Sequence, residues 1–178
     1  MMRNLKYKGC FWLWSLICLG AVLPARAADL EVRVSNPRPT CEISFDGKDS
    51  LTYPIGTIAR NSVMKHMPFT LRIDCKGTSA VKTALTARNV TGSLQGGDDS
   101  VMMLVEGQTV ANAPLLWLEK SNNQRVKLTG MQSDAFCSRN DTSASVPNIC
   151  QLKPVTSVAP NSPTGNIAVT VLFDIFYT

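Results

Sequence analysis

Residues 167–177 read Ile-Ala-Val-Thr-Val-Leu-Phe-Asp-Ile-Phe-Tyr, and the fold turns on how that stretch is read. Every odd position is apolar (Ile167, Val169, Val171, Phe173, Ile175 and Tyr177), whereas Thr170 and Asp174 fall in the other set. Successive side chains of an extended chain point to opposite faces, so this comb predicts a strand with one face turned to a core. The sequence stops one residue later, and the chain is expected to end inside that strand. Further back, Cys41-Glu-Ile-Ser-Phe45 and Phe69-Thr-Leu-Arg-Ile-Asp-Cys75 alternate in the same way, and 81–87, 101–105, 115–118 and 126–128 are short β-like runs. Turn signals separate them at Lys76-Gly77-Thr78-Ser79, Gly96-Gly97-Asp98-Asp99, Ser121-Asn122-Asn123 and Asn161-Ser-Pro-Thr-Gly165. No segment after the N-terminal leader sustains a helical period over three turns. The pattern predicts a single all-β sandwich domain, with immunoglobulin-like topology the leading candidate.

A second comb stands at the other end. Leu30, Val32 and Val34 alternate with Asp29, Glu31, Arg33 and Ser35, and then Asn36-Pro37-Arg38-Pro39 interrupts. Proline has no N–H to give to a ladder, so Pro37 and Pro39 uncouple this comb from the strand that begins at Cys41. It reads as a detachable strand with no evident partner in its own domain. Residues 1–27 before it have the layout of a secretory signal: basic Arg3, Lys6 and Lys8, an apolar run over 11–23, and Ala25-Arg26-Ala27 as a small-x-small cleavage site. The run is shorter than the roughly 20 residues that a membrane-spanning helix needs, which argues against a permanent anchor. Neither Cys10 nor Cys18 has the small-residue approach of a lipoprotein cleavage site.

Removing the leader changes the charge and the cysteine count. The whole chain of 178 residues has a formal net charge of +5, but four of its bases and none of its acids lie in 1–27, which leaves a net of +1. A basic surface for nucleic acid is therefore not expected. Cys41, Cys75, Cys137 and Cys150 remain, an even number in an exported chain, which points to disulfides. Of the three possible pairings the pattern favours Cys41–Cys75, joining two neighbouring strands, and Cys137–Cys150, closing the aperiodic stretch 138–149 as a loop. There is no CxxC spacing and only one histidine, so zinc is not expected.

No catalytic set emerges. Ser62-Val-Met-Lys65 matches the SxxK arrangement in which a lysine activates a serine, but no KTG element accompanies it. His66 lacks a nucleophile and an orienting acid around it and reads as a surface residue. Gly96-Gly97-Asp98-Asp99 lacks calcium-loop spacing and reads as a turn. There is no phosphate-cradling GxxxxGK[ST] motif. Trp117, among Leu115, Leu116 and Leu118, reads as core or groove wall ahead of a sugar platform. The chain is expected to be non-enzymatic and free of cofactors.

With both combs in view, the sequence resembles the pilin subunits of the chaperone-usher fimbriae of Gram-negative bacteria. Gly165 at the fourteenth position from the end, the alternating apolar residues after it and the penultimate Tyr177 match that family's β-zipper. Cys41 and Cys75, the Ile55-Gly-Thr-Ile58 turn between them, and Leu116-Trp-Leu118 before a Ser-Asn-Asn turn also look like the pilin layout. Two places depart from it: Asn36 stands nearest to where the donor strand usually has a glycine, and the Cys137–Cys150 pair is not a general pilin feature.

The resemblance implies an incomplete immunoglobulin-like sandwich lacking its last strand, with a signal peptide at 1–27, a donor-strand extension at 28–40 and a pilin domain at 41–178. It also implies Leu30, Val32 and Val34 as donor side chains, and Gly165, Val169, Val171, Phe173, Ile175 and Tyr177 as the edge that a periplasmic chaperone and then a neighbouring subunit would cover. The implied partners are that chaperone, an outer-membrane usher and other fimbrial subunits; the implied destination is a fimbrium on the cell surface, serving adhesion. The second cysteine pair and the several methionines lean towards a minor or adaptor subunit. A major rod subunit, and a self-contained secreted sandwich that binds carbohydrate or protein, stay open as alternatives.

Overall fold

The computed structural model describes residues 40–177, all within one compact unit. The leader and the residues Leu30, Val32 and Val34 lie outside the described residues. The strands are β1 (Cys41–Phe45), β2 (Ser62–Lys65), β3 (Phe69–Cys75), β4 (Val81–Asn89), β5 (Ser93–Gln95) and β6 (Ser100–Met102). They continue with β7 (Leu104–Val105), β8 (Leu115–Lys120), β9 (Phe136–Thr142), β10 (Asn148–Val158), β11 (Ile167–Ala168) and β12 (Val171–Tyr177). A single 3-10 turn at Gln132–Asp134 is the only helical element described, and no described helix is long and apolar enough to cross a membrane.

All pairings are antiparallel. One layer has the order β1-β3-β10-β8-β6-β5, with β2 also on β10; the other is β12-β4-β9; and β11 pairs with β7. Period-2 patterning positions the core: in β3, Leu71, Ile73 and Cys75 are buried while Arg72 is exposed. Leu71, Ile73, Val101, Leu116, Leu118 and Leu152 of the first layer meet Leu85, Ala87 and Phe136 of the second in one cluster. This is an immunoglobulin-like sandwich.

Several elements differ from the sequence reading. The stretch 138–149, expected as a disulfide-closed loop, contributes instead to two strands. β9 carries bulged pairing with β4, and the 11-residue β10 runs through the middle of the first layer. Cys137 lies on β9 and Cys150 on β10, so their bond (Cα–Cα 5.8 Å) ties one layer to the other. Beneath it Asn148 Nδ2 donates to the carbonyl of Cys137 at 2.8 Å and to Thr83 Oγ1 at 3.1 Å. The other bond, Cys41–Cys75, joins residues directly opposite in the β1–β3 ladder, as the strand pattern implied.

Pro154 hid β10 from a pattern reading, because proline is a poor central-strand residue. In the structure β3 covers 148–152 of that edge and β2 covers 155–158, and the carbonyl of Pro154 accepts from His66 N–H at 2.9 Å. Carbonyl and amide of one strand residue point to the same edge, so the missing donor faces the break between β2 and β3. The 126–128 run is not a strand, although Val126 N–H and Leu128 N–H bond the carbonyls of Leu118 and Asp98 at 2.9 and 2.7 Å and both side chains are buried. The short β2 and β5 carry too little alternation to have been read.

Candidate strand-acceptor groove

The C-terminal comb is split. β11 pairs Ile167 with Val105 and Ala168 with Leu104, and after Val169 and Thr170 the chain pairs along β4, from Val171–Asn89 to Tyr177–Thr83. Between the two ladders Thr170 N–H donates to Thr91 Oγ1 at 2.8 Å, and the Thr170 carbonyl accepts from Val90 N–H at 2.8 Å. Along its other edge β12 has no strand partner among the described residues. The comb's apolar face packs against the core without being sealed by it: Ile167, Val169, Val171, Phe173 and Ile175 are all half-buried, whereas Leu85 beside it on β4 and Leu71 in the other layer are 0% exposed.

Opposite this edge runs 50–60, which forms no strand and no backbone–backbone hydrogen bond with another described residue. Tyr53, Ile55 and Ile58 are half-buried and pack on the core side, and Leu51 is 39% exposed. Between the two walls lies a cleft of about 870 Å³, lined by 51–58 on one side and 163–171 on the other. A smaller cavity of about 150 Å³ continues it over an aromatic floor of Phe45, Tyr53, Phe69 and Phe173. The Phe173 ring lies 6.0 Å from that of Phe45 and 6.3 Å from that of Phe69, both edge-on, the favoured aromatic geometry. The arrangement is a groove with an apolar floor and walls whose backbone groups have no ladder partner among the described residues, the chemistry that takes up an extended strand.

Of the sequence-predicted edge residues, Gly165, Val169, Val171 and Phe173 line the groove and Ile175 packs on the core beside it. Tyr177 is 44% exposed, and its hydroxyl accepts from Cys41 N–H at 3.2 Å, drawing β1 and β12 together at the far end. The sequence reading missed the floor residue Tyr53 and the wall around it. The alternation Leu51, Tyr53, Ile55 is present but is masked by Pro54 and Gly56. Trp117 is 7% exposed, donates from Nε1 to Glu119 at 3.0 Å and carries the Arg125 guanidinium 4.1 Å over its ring. It is a packed residue that does not line the groove.

The weak catalytic motif is taken up elsewhere. Ser62 donates to the Ala59 carbonyl and Lys65 pairs with Glu119 at 2.9 Å. His66 Nε2 lies 2.9 Å from Thr156 Oγ1, and partial burial lowers its pKa.

No family model matches the sequence, and no curated protein matches it. Solved structures do. A chain from a chaperone-usher pilus whose structure addresses rod uncoiling superposes with a TM-score of 0.54 at 14% identity, covering 89% of this chain and 99% of that one. The P pilus rod subunit PapA superposes with a TM-score of 0.55 at 13% identity, covering 78% of this chain and 99% of that one. At such identities the likeness is one of fold.

Proposed function

We propose that the chain is a non-enzymatic structural subunit of a chaperone-usher fimbria, assembled by donor-strand exchange and contributing to cell adhesion. The observation that carries this reading is the groove beside β12: a half-buried comb, with neither its edge nor the opposite wall at 50–60 in a strand pairing among the described residues. Pilus subunits with the same fold supply the context. In this reading a periplasmic chaperone covers the groove first, and at an outer-membrane usher a neighbouring subunit's strand replaces it. Gly165, Val169, Val171, Phe173, Ile175 and Tyr177 form the acceptor edge. Leu30, Val32 and Val34 are this chain's own donor residues for the subunit before it. The inter-layer Cys137–Cys150 bond, which the general pilin pattern lacks, favours a minor or adaptor subunit.

Each buried donor side chain contributes about 1.5 to 3 kcal/mol, so a charge at the central one should abolish docking. Val32→Asp is expected to fold normally with the chaperone and to enter fibres at least ~10-fold less than wild type. Co-expression with chaperone and usher, followed by immunoblotting of sheared fibres, measures this. Ordinary incorporation of the variant would overturn the donor assignment.

A further inference from the structure

The turn after β7 is built from a residue that such turns do not favour. Val105 and Gln108 exchange both backbone hydrogen bonds at 2.9 Å, and Glu106 and Gly107 between them have φ of +51° and +75°. Two successive positive φ values mark a type I′ turn, whose first central position favours Asn, Asp or Gly. A glutamate there holds an unfavourable backbone conformation, a reason to ask what its side chain does.

It holds the start of the comb. Glu106 N–H donates to the Asn166 carbonyl at 2.8 Å, and Glu106 Oε1 accepts from Asn166 N–H at 2.7 Å. Gly165 fits against the same group: at its φ of +145° an added Cβ would lie 2.8 Å from Glu106 Oε1 and 3.0 Å from Val105 Cγ1. Gly165 is therefore matched to Glu106 inside the subunit, whatever an incoming strand requires. Among the described residues little else fixes this wall of the larger cleft, since β11 spans two residues and Thr170 adds its bonds to 90–91.

We propose that Glu106 is a positioning residue for strand docking: its carboxylate latches Asn166, so that the wall at 165–171 is set before a strand arrives. The inference rests on the strand-acceptor reading of the groove. The decisive variant is Glu106→Gly, which suits the turn better but removes the carboxylate. In the oxidised full chain, hydrogen exchange over 163–172 should quicken at least ~10-fold in Glu106→Gly and Glu106→Ala. Glu106→Gln, which keeps the acceptor oxygen, should restore most of the protection. The unfolding midpoint of Glu106→Gly should stay level or rise, which separates a latch from a merely structural role. Exchange within twofold of wild type in Glu106→Gly overturns the proposal. In a parallel arm, labelled donor-strand peptides of the sibling fimbrial subunits, with this chain's own residues 28–39 as one of the panel, are added to the groove, and any that docks to wild type should dock at least ~5-fold more slowly to Glu106→Gly; equal rates overturn the role in docking. A wild type that captures no peptide of the panel counts against the strand-acceptor reading, while the exchange measurement still decides the latch.

Discussion

Glu119 is a carboxylate taken largely out of water, with 9% of its side chain exposed. Burial alone would raise its pKa. The hydrogen bonds from Lys65 and Trp117, with the charges of Lys65 and Lys153, outweigh that and hold it below the ordinary value of 4.5. A carboxyl whose pKa is depressed by folding contributes stability that is fully present above its unfolded value and is lost as pH falls through the folded one. The Lys65 side chain is 53% exposed, so its pair with Glu119 is screened, and the bond to the buried Trp117 N–H matters more. Glu119→Gln keeps an acceptor for Trp117 and should cost about 1 kcal/mol at pH 7, a gap that shrinks towards zero well below the ordinary carboxyl pKa. Urea midpoints of both proteins at pH 7 and pH 3 measure it. An equal gap at the two pH values would show that the charge is not what stabilises.

The elements place the second disulfide where its loss should be felt unevenly. Cys137–Cys150 spans a separation of 13 and joins β9 to β10 across the layers; Cys41–Cys75 spans 34 within one sheet. Loop-closure entropy gives about 3 kcal/mol for the first and about 4 for the second. Replacing Cys137 and Cys150 together by Ala should therefore cost about 3 kcal/mol, and hydrogen exchange should rise first in β9, an edge strand whose ladder with β4 is already bulged. Unchanged exchange in β9 would mean that its pairing with β4 suffices.

These same elements mark what could be read from residues alone. Strands in which one set of side chains is apolar and the other polar were legible, as in Cys41–Phe45, Phe69–Cys75 and the C-terminal comb. β10 was not, because Pro154 contradicts a central strand until the break between β2 and β3 is seen beside it. β9 was not, because Ser138, Arg139, Asn140 and Asp141 give no alternation and its register depends on β4. For the groove, the strand bearing one wall was legible, but the opposite wall at 50–60 was not. It follows no ladder, and only tertiary packing turns Tyr53 and Ile55 towards Phe69 and Phe173.

At the scale of the molecule, the half-sealed comb sets an energy that can be compared with the stability of a whole domain. A covering strand that buries three residues such as Leu30, Val32 and Val34 contributes roughly 5 to 9 kcal/mol, before any backbone bonds along the walls. Native domains are stable by about 5 to 15 kcal/mol in total, so an occupant of the groove is comparable to the rest of the fold. An unoccupied groove is also an exposed apolar surface beside a free strand edge, the combination that leads to association. A variant lacking residues 28–39 cannot cover its own groove or a neighbour's. It is expected to bind a hydrophobic dye strongly, to aggregate at micromolar concentration, and to be recovered in soluble form, as a complex with the chaperone, only when a groove-covering chaperone is co-expressed. A closed sandwich behaves in the opposite way, since its comb would already be sealed and removing an N-terminal tail would change little. Dye fluorescence and light scattering of the truncated subunit, with and without the chaperone, separate the two. A dye-silent, monomeric truncation in the absence of any partner would mean that the groove is a surface furrow, with no strand missing from it.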